Sequence, residues 1–347
     1  MNRNLLRLLS IILIPLSIIV RFIYRVRRHL YLTGYFKSFS FGLRTISIGN
    51  VVLGGSGKTP LMKWIINHLG CDNKLLISSR GYKSNFEKIG KLVHSSETAS
   101  AVEIGDENAE LLQELKLGSI AVGRNRVDLI MNATRNDSYK YLLIDDGFQH
   151  LKIQRDLNIV LFNSMMNFED LKIFPMGYLR EGLGSLFEAD IVIFTNCQDV
   201  INKNEQNILD AISPHLNDTA EILRSKTVIK NIVNLRSNEK LMVEDLDRVI
   251  LVSGIANPEK FKKLVENQKL MVLDHLYFPD HHSFKDKDYV KINKIAKKLN
   301  SSVLMTNKDA VKFDKNKMEV DFYYCDIELS FFGAEKRLIE ILKGEKL

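Results

Sequence analysis

The sequence is poor in cysteine, and its cysteines are not spaced for a structural role. Cys71, Cys197 and Cys325 are the three in 347 residues, and they are too scattered for metal-ligand spacing. An odd number also argues against a disulfide framework. We therefore exclude a disulfide-stabilised scaffold and expect a reducing compartment.

The sequence also lacks an apolar run long enough to span a bilayer. Residues 5–20 carry only Arg7 as a charge, but the run is shorter than the roughly 20 residues that a spanning helix needs, and Pro15 lies near its middle. No small-residue cleavage site follows it, so we expect no cleaved secretory signal. Linkers rich in Pro, Gly or Ser, internal repeats and low-complexity tracts are missing as well.

The N-terminus is basic and apolar instead. On a helix with 100° per residue, its arginines fall within about 60° of one another, with isoleucines interrupting the stripe near the centre. We predict that residues 1–30 form a helix in the membrane interface with basic ends on anionic headgroups. A core or docking helix is the alternative. The arginines are Arg3, Arg7, Arg21, Arg25 and Arg28.

The overall composition, with 45% apolar and 26% charged residues, is that of an ordinary globular protein. The length predicts roughly two domains of about 150 residues each. The formal net charge of +7 suits nucleic acid, anionic lipid or phosphorylated substrates, and its sign alone does not choose among them.

From residue 44 to about residue 200, apolar strand-like runs alternate with helical patterns. The runs are continuous, which is typical of strands that crossover helices bury on both faces. We predict an α/β fold with a doubly wound, mostly parallel sheet. The candidate strands are RTISIG, KLLISS, SIAVG, YLLIDD, LNIVLF and DIVIFT.

A second series of strands and helices begins after an Asn- and Lys-rich stretch around residues 200–230. We predict a membrane-associated helix at 1–30, a first domain at 31–225 and a smaller α/β domain at 226–347. The last helix is a candidate to pack back on the first domain.

The stretch VVLGGSGKTP lies between the run RTISIG and the helical pattern LMKWIINHL. Backbone N–H groups of such a loop converge on phosphate oxygens, while Lys58 supplies a cation for the β- and γ-phosphates and Thr59 a hydroxyl for Mg²⁺. The strict pattern has glycine where Val52 stands. We predict a P-loop NTPase-like nucleotide site, with a plain tight turn as the alternative. Its residues are Val52, Leu53, Gly54, Gly55, Ser56, Gly57, Lys58 and Thr59.

Two adjacent acids, Asp145 and Asp146, end the run YLLIDD. A buried strand seldom ends in two carboxylates without a cation, because like charges repel in a low dielectric. We predict that they complete a Mg²⁺ site with Thr59. Solvated turn acids are the alternative, and which of the two binds the metal stays open.

Other polar residues stand at strand ends and helix starts. Tyr82 follows a strand end, where doubly wound sheets bind ligands. Arg126 and Arg180 stand at loop-to-helix transitions, where a guanidinium can hold a phosphate. Asp106 occupies an expected helix N-cap, and simple capping is the alternative reading.

The run FPDHHSF places Asp280, His281 and His282 together. An Asp next to a His can orient it for proton transfer or metal binding. A chance surface cluster is the alternative.

Together these motifs resemble the tetraacyldisaccharide 4'-kinase family, the lipid A 4'-kinases of Gram-negative bacteria. They occur in the order of that family from about residue 44 to residue 312, and DDGFQH with the glycine loop is the most specific pair. The matching motifs are SIGNVVLGGSGKTP, SRGY, GDEN, DDGFQH, FPMGYLREG, PDHHSF and TNKDAVK.

The resemblance implies ATP with Mg²⁺ as the donor and the 4'-hydroxyl of a tetraacylated glucosamine disaccharide 1-phosphate as the acceptor, giving lipid IVA. It implies that Asp106 and His281 act together on that hydroxyl, with Asp106 as the expected base. Arg180 would face the transferring phosphoryl group, and Tyr82 and Arg126 would help to form the site.

An acceptor with four acyl chains stays in the bilayer. We therefore expect a peripheral or monotopic enzyme on the anionic surface of the cytoplasmic face of the bacterial inner membrane. No nucleic-acid partner and no protein partner is expected.

Three positions depart from the family pattern. Lys83 stands where Gly is frequent, and Asn108 and Gly182 stand where Pro is usual.

Two other classes of protein stay open. A soluble P-loop GTPase or metal-insertion factor should carry Asn-Lys-x-Asp, but TNKDA at 306–310 lacks the intervening residue. A non-catalytic membrane adaptor that uses ATP only to switch shape would need neither Asp106 nor His281.

Overall fold

The structure is a computed structural model that describes residues 3–255, 257–280 and 282–345. Within these ranges the chain forms two compact units, one of Met1–Lys226 with Ser330–Leu347 and the other of Thr227–Leu329. Each unit is built on its own β-sheet.

The first unit alternates strands and helices along the chain. Its strands are β1 (Arg44–Gly49), β2 (Leu75–Ser79), β3 (Lys91–His94), β4 (Gly118–Val122), β5 (Tyr141–Asp145), β6 (Leu157–Asn163), β7 (Ile191–Thr195) and β8 (Glu221–Arg224). Its α-helices up to this point are α1 (Arg3–Leu32), α2 (Lys58–Leu69), α3 (Phe86–Ile89), α4 (Ala101–Ile104), α5 (Asp106–Glu114), α6 (Arg126–Asn136) and α7 (Lys203–Ile212). Short 3-10 turns lie at Phe168–Asp170, Leu183–Glu188 and Ser213–His215.

The sheet of this unit has the strand order β3-β4-β2-β5-β1-β6-β7-β8. All neighbouring strands are parallel except β3, which runs antiparallel to β4. Every residue of β2, β4 and β7 is buried, as the continuous apolar runs indicated. The predicted fold class is confirmed. The two edge strands, β3 and β8, were not predicted, because they are short and only partly buried.

Strand β1 determines where a ligand can bind. It pairs with β5 on one side and β6 on the other, so the chain leaves its carboxyl end at the point where the strand order reverses. Open α/β sheets bind ligands in the crevice at such a point. The glycine loop follows β1 directly and therefore opens into this crevice.

The second unit has a smaller sheet with the order β10-β9-β14-β13-β11-β12. Its strands are β9 (Lys226–Asn234), β10 (Lys240–Leu241), β11 (Arg248–Ser253), β12 (Met271–Tyr277), β13 (Ser302–Thr306) and β14 (Phe322–Ser330). Its helices are α8 (Pro258–Glu266), α9 (Asp286–Leu299) and α10 (Asn307–Ala310), with 3-10 turns at Val243–Asp245 and Lys315–Lys317. Strand β11 is parallel to both β12 and β13.

After β14 the chain returns to the first unit and forms α11 (Glu335–Lys343). The Arg44 guanidinium donates hydrogen bonds to the carbonyl oxygens of Ile341 and Leu342, both at 2.7 Å. These are carbonyls of the last helical turn, which have no partner inside the helix and carry its negative dipole end. Arg44 thereby fastens the C-terminal helix to the start of β1.

Helix α1 has a polar inner side and an apolar outer side. Ser17 and Arg28 are buried, and the Ser17 hydroxyl lies 3.3 Å from the carbonyl oxygen of Ile173. The exposed apolar side chains are Ile14, Leu16, Ile18, Ile19, Phe22, Ile23 and Val26. In the described part of the chain, no helix combines the length and apolar character needed to span a bilayer.

One expectation for α1 was wrong. Arg28 was assigned to the basic stripe on lipid headgroups, but it is only 8% exposed and forms ion pairs with Glu181 and Glu188 at 2.9 and 2.6 Å. Helical spacing gives the angle between side chains, not which face the rest of the protein covers. The side chains of Arg3 and Arg7 lie outside those described.

Gly118 provides a test of how tightly the sheet is packed. It opens β4 with φ of +143°, and a Cβ there would overlap the carbonyl oxygen of Leu75. Gly118→Ala should therefore lower the free energy of unfolding by at least about 2 kcal/mol. Gly184→Ala is the control, because a Cβ at Gly184 meets no atom within 4 Å. Equal urea midpoints for the two variants would contradict this packing.

Candidate functional site

The glycine loop occupies residues 50–57 between β1 and α2. Gly54 and Gly57 have φ of +114° and +86°, which a residue without a Cβ adopts at little cost. A Cβ on Gly54 or Gly55 would meet no atom within 4 Å, so the outer side of the loop is open. Val52 is buried and bridges to Leu179, so strand-like pairing continues to the start of the turn.

Two contacts hold the loop from behind. The backbone N–H of Leu53 donates to the carbonyl oxygen of Tyr178 at 2.7 Å. The hydroxyl of Thr195, at the end of β7, donates to the carbonyl oxygen of Ser56 at 2.9 Å. The Ser56 hydroxyl is itself buried without a hydrogen-bond partner in the described structure.

Lys58 and Thr59 begin α2, immediately after Gly57. The first-turn N–H groups of a helix have no partner inside it and carry its positive dipole end. Lys58 Nζ lies 3.5 Å from Asp146 Oδ1. Backbone donors, a helix dipole and a cation therefore meet at one end of the loop.

The two acids at the end of β5 have different environments. Burial opposes ionisation of Asp146, but Lys58 and Arg180 outweigh it and lower its pKa. Burial raises the pKa of Asp145, although Arg126 favours its ionised form. Asp146 therefore pairs with two cations, whereas at Asp145 the effect of desolvation outweighs that of Arg126.

Arg180 completes the contact with Asp146. Its Nη1 donates to Asp146 Oδ2 at 2.8 Å, and its backbone N–H donates to the carbonyl oxygen of Val51 at 2.8 Å. The Asp146 carboxylate thus pairs with Lys58, the first residue of α2, and with Arg180, which follows Lys58 by more than 100 residues.

A cavity of about 390 Å³ lies beside this cluster. Arg126 is 6% exposed and donates to the carbonyl oxygen of Asp145 at 2.7 Å. The Glu87 carboxylate accepts from Nε of both Arg80 and Arg124 at 3.0 Å. Guanidinium groups held in this way suit a phosphorylated ligand. The lining residues are Tyr24, Arg80, Arg124, Arg126, Asp146, Gln149, His150 and Arg180.

Tyr82 and Asp106 lie on adjacent loops. Tyr82 is 68% exposed, and a Cβ on Gly105 would lie 3.8 Å from its carbonyl oxygen. Asp106 follows Gly105 as the exposed first residue of α5. The Tyr82 backbone therefore lies close to Gly105, the residue that precedes Asp106.

His281 lies outside the described residues. Its neighbour His282 differs from the arrangement considered for this run, because its Nε2 lies 3.0 Å from Asp288 Oδ2 and its ring stacks on Phe278. An acid six residues later along the chain orients this histidine.

The family departures have small local effects. Lys83 has φ of +62°, a conformation that Gly adopts more readily. Gly182 has φ of −68°, close to the value that Pro imposes, so the backbone here has a conformation that Pro could also adopt. Asn108 is buried and donates to the carbonyl oxygen of Ile104 at 2.7 Å.

Sequence reasoning missed several residues that support the site. Gln149, inside DDGFQH, donates to Glu181 Oε1 and to the carbonyl oxygen of Asn50. Glu87 orients two arginines, and Tyr24 brings α1 to the cavity wall. Of these three, only Gln149 could have been found from the sequence, because it lies inside the motif DDGFQH. The roles of Glu87 and Tyr24 depend on contacts between distant segments.

A strand, a glycine loop and a helix with a Lys-Thr start, opposite an acidic strand end, define a P-loop nucleotide-binding protein. The family model for "Tetraacyldisaccharide-1-P 4'-kinase" matches residues 9–345. The chain belongs to this family, and the resemblance inferred from its motifs is confirmed.

Individual relatives agree with this assignment. A tetraacyldisaccharide 4'-kinase of Bdellovibrio bacteriovorus is 30% identical over 94% of this chain and 97% of its own length. One of Halothermothrix orenii is 29% identical over 94% and 91%. The crystal structure of LpxK from Aquifex aeolicus in complex with ATP has a TM-score of 0.72 at 25% identity and covers 97% of this chain and 99% of its own.

The residues present fit ATP with Mg²⁺. The loop offers an open side and, in the described structure, an unpartnered buried hydroxyl at Ser56. The Asp146 carboxylate lies 3.5 Å from Lys58, at the end of the loop. Mg²⁺ is usually held by one or two carboxylates together with phosphates and water. Among the described residues, no group of three or more His, Cys, Asp or Glu is placed to hold a metal ion.

His150 should make the protein sensitive to acid. Burial, helped by Arg126 and Lys152, lowers its pKa to about 3, whereas in the unfolded chain it is about 6.5. The unfolded state therefore binds the extra proton first, and stability is lost as the pH falls from about 6.5 towards 3, by up to about 1.4 kcal/mol per pH unit.

We expect His150→Gln to remove this loss. Urea unfolding of both proteins at pH 7 and pH 5 should show that the wild type loses about 2 kcal/mol more than the variant. Equal losses would mean that His150 takes up its proton in the folded state.

Proposed function

We propose that this protein transfers the γ-phosphoryl group of ATP to the 4'-hydroxyl of a tetraacylated glucosamine disaccharide 1-phosphate, giving lipid IVA and ADP in lipid A biosynthesis. Membership of the 4'-kinase family supports this activity. The observation that carries it is the Asp146 carboxylate shared by Lys58 and Arg180 at the mouth of the glycine loop.

The glycine loop suits the triphosphate. The residues proposed to bind it are 52–59, with Lys58 as the cation for the β- and γ-phosphates. Bound ATP with Mg²⁺ supplies the transferable phosphoryl group and neutralises part of its charge. The protein then has to hold donor and acceptor in line and stabilise the charge that develops.

Thr59, Asp145 and Asp146 are the proposed partners of Mg²⁺. Of the two acids, the environment favours Asp145 as the direct ligand, because Asp146 already pairs with two cations while burial raises the pKa of Asp145. A divalent cation would stabilise the ionised form of Asp145 and remove that cost.

Arg180 is proposed to face the transferring phosphoryl group, with Arg126 and Tyr82 helping to bind the phosphorylated acceptor. The cavity beside Asp146 supports this assignment, because Arg80 and Arg124 add two more guanidinium groups to its wall. Asp106 is proposed to take the proton of the 4'-hydroxyl as the bond to phosphorus forms. The part of His281 in this step stays a prediction.

The contacts of TNKDA do not support the GTPase alternative. Asp309 is fully buried, and its carboxylate accepts from the backbone N–H of Gly254 and from the Thr306 hydroxyl. A carboxylate engaged in this way holds the fold of its own unit and is not presented to a guanine base.

The direct test is transfer of ³²P from γ-labelled ATP to the lipid disaccharide 1-phosphate in detergent micelles. Lys58→Met should lower kcat by about 10²–10³, because a charge contact to the transferring group is lost. Lys203→Met is the matched control, since Lys203 is also the first residue of a helix but is exposed and lies in α7. No labelled lipid with the wild type would reject the proposed activity, and similar rates for both variants would reject the role proposed for Lys58.

We also propose that α1 binds the membrane, at the cytoplasmic face of the inner membrane where ATP is present. Its exposed apolar side chains support this, since they range from 39% exposure at Val26 to 67% at Phe22. Arg21 and Arg25 are exposed beside them and suit anionic headgroups. Buried Arg28 has no part in this contact.

The double variant Phe22→Ser and Ile23→Ser should weaken binding to anionic vesicles about tenfold or more, because two large apolar side chains no longer enter the lipid. The KM for the micellar lipid should rise while the KM for ATP stays the same. The control changes another exposed apolar pair, Val200 and Ile201, to Ser. Unchanged sedimentation of the first variant with vesicles would show that α1 is not the contact.

A further inference from the structure

The N-terminal helix reaches the phosphate site through one buried carboxylate. Glu181 is 3% exposed and lies directly after Arg180. Its two oxygens accept hydrogen bonds from Arg28 Nη2 at 3.1 and 2.9 Å, and Oε1 also accepts from Gln149 Nε2 at 3.0 Å. The backbone next to Arg180 is therefore held by a side chain of α1.

The segment carrying Glu181 also supports the entrance of the glycine loop. Tyr178 accepts from the backbone N–H of Leu53, and Arg180 donates its own N–H to Val51, at 2.7 and 2.8 Å. A shift of Glu181 would therefore move the Arg180 guanidinium. It would also disturb the backbone hydrogen bonds of Val51 and Leu53, which precede Gly54.

Further contacts join α1 to the acidic motif. Arg27 Nη1 donates to the carbonyl oxygen of Gln149 at 3.2 Å, and Gln149 Nε2 donates to the carbonyl oxygen of Asn50 at 2.8 Å. The Arg28 guanidinium lies 5.0 Å from the ring centre of buried Phe148. Helix α1 thus contacts the residues on both sides of the nucleotide loop.

We propose that Arg28 is a positioning residue for phosphoryl transfer. It fixes Glu181 and, through it, the placement of Arg180 and of the loop entrance, so that α1 is part of the active-site framework as well as a membrane contact. This inference rests on the proposed function, because it gives Arg180 its role at the transferring phosphoryl group.

The ion pair is built to resist displacement. Arg28 also pairs with Glu188 at 2.6 Å, and Glu188 pairs with Arg155 at 2.9 Å. A guanidinium between two carboxylates keeps its orientation because its planar fork binds them in fixed directions. A lysine has a single ammonium and cannot hold both Glu181 oxygens and Glu188 in the same geometry.

The test compares Arg28→Met and Arg28→Lys with Arg224→Met. Arg224 also pairs with a fully buried carboxylate of the same unit, Glu205 at 2.7 Å, at the end of β8. With lipid saturating in neutral micelles, Arg28→Met should lower kcat about 10- to 100-fold through misplacement of the reacting groups. The affinity for an ATP analogue should change less than about threefold, since Arg28 acts through Arg180, a group assigned to the transition state. Arg28→Lys should fall between the wild type and Arg28→Met.

Dependence on Arg180 separates positioning from a general loss of stability. In an Arg180→Met background, Arg28→Met should cost less than about twofold in kcat, because residues that act as a unit are not additive. A cost equal to that in the wild-type background would overturn the proposal, as would a wild-type kcat for Arg28→Met.

Amide hydrogen exchange gives a readout without turnover. Peptides covering residues 50–57 and 177–184 should exchange faster in Arg28→Met, and to a smaller degree in Arg28→Lys, but not in Arg224→Met.

If Arg28→Met does not fold, a wild-type kcat and wild-type exchange in Arg28→Lys would overturn the proposal. A wild-type protein without lipid kinase activity would reject the proposed function, whereas exchange would still decide whether Arg28 holds this segment.

Discussion

The Asp146 carboxylate between Lys58 and Arg180 is the interaction on which the site depends. It joins the start of α2, the end of β5 and the segment around Arg180. A site for phosphates has to gather cations that repel one another before a ligand arrives. A carboxylate among them offsets that repulsion, and it also fixes the direction in which each cation points.

Carboxylates hold other arginines in the same way. At the cavity wall, Glu87 accepts from Arg80 and Arg124, and each of these arginine side chains is 52% exposed. Their planar guanidinium groups therefore retain donors for a phosphate. Glu181 accepts from Arg28, and because both residues are buried, water screens their attraction only weakly.

Helix α1 combines two environments on one element. Its outward side carries exposed apolar side chains, whereas its inward side carries Arg28 into a buried network. A helix that served only as an anchor would need no such inner contacts. If α1 binds the membrane as proposed, the membrane contact and the proposed phosphate site are joined by this one helix.

The larger sheet and the chemistry at its centre could be predicted from the amino-acid sequence alone. Continuous apolar runs predicted β1, β2 and β4–β7, because burial on both faces leaves a pattern that is local to each strand. The glycine loop and the acids after β5 were also readable, since their chemistry requires certain residue types next to each other. Membership of the kinase family followed from the order of these motifs.

The contacts of the charged side chains became visible only in the folded structure. Arg28 was predicted to contact lipid headgroups because helical periodicity gives only the angular position of each side chain around the axis. It does not show which side of the helix packs against the rest of the protein. Glu87, Gln149 and Glu181 gained their roles from segments far apart in the chain, and His282 pairs with Asp288, six residues later. The edge strands β3 and β8 escaped prediction because their few residues are ordered mainly by a neighbour. Local patterns record burial, whereas the pairing of charges depends on distances that exist only once the chain has folded.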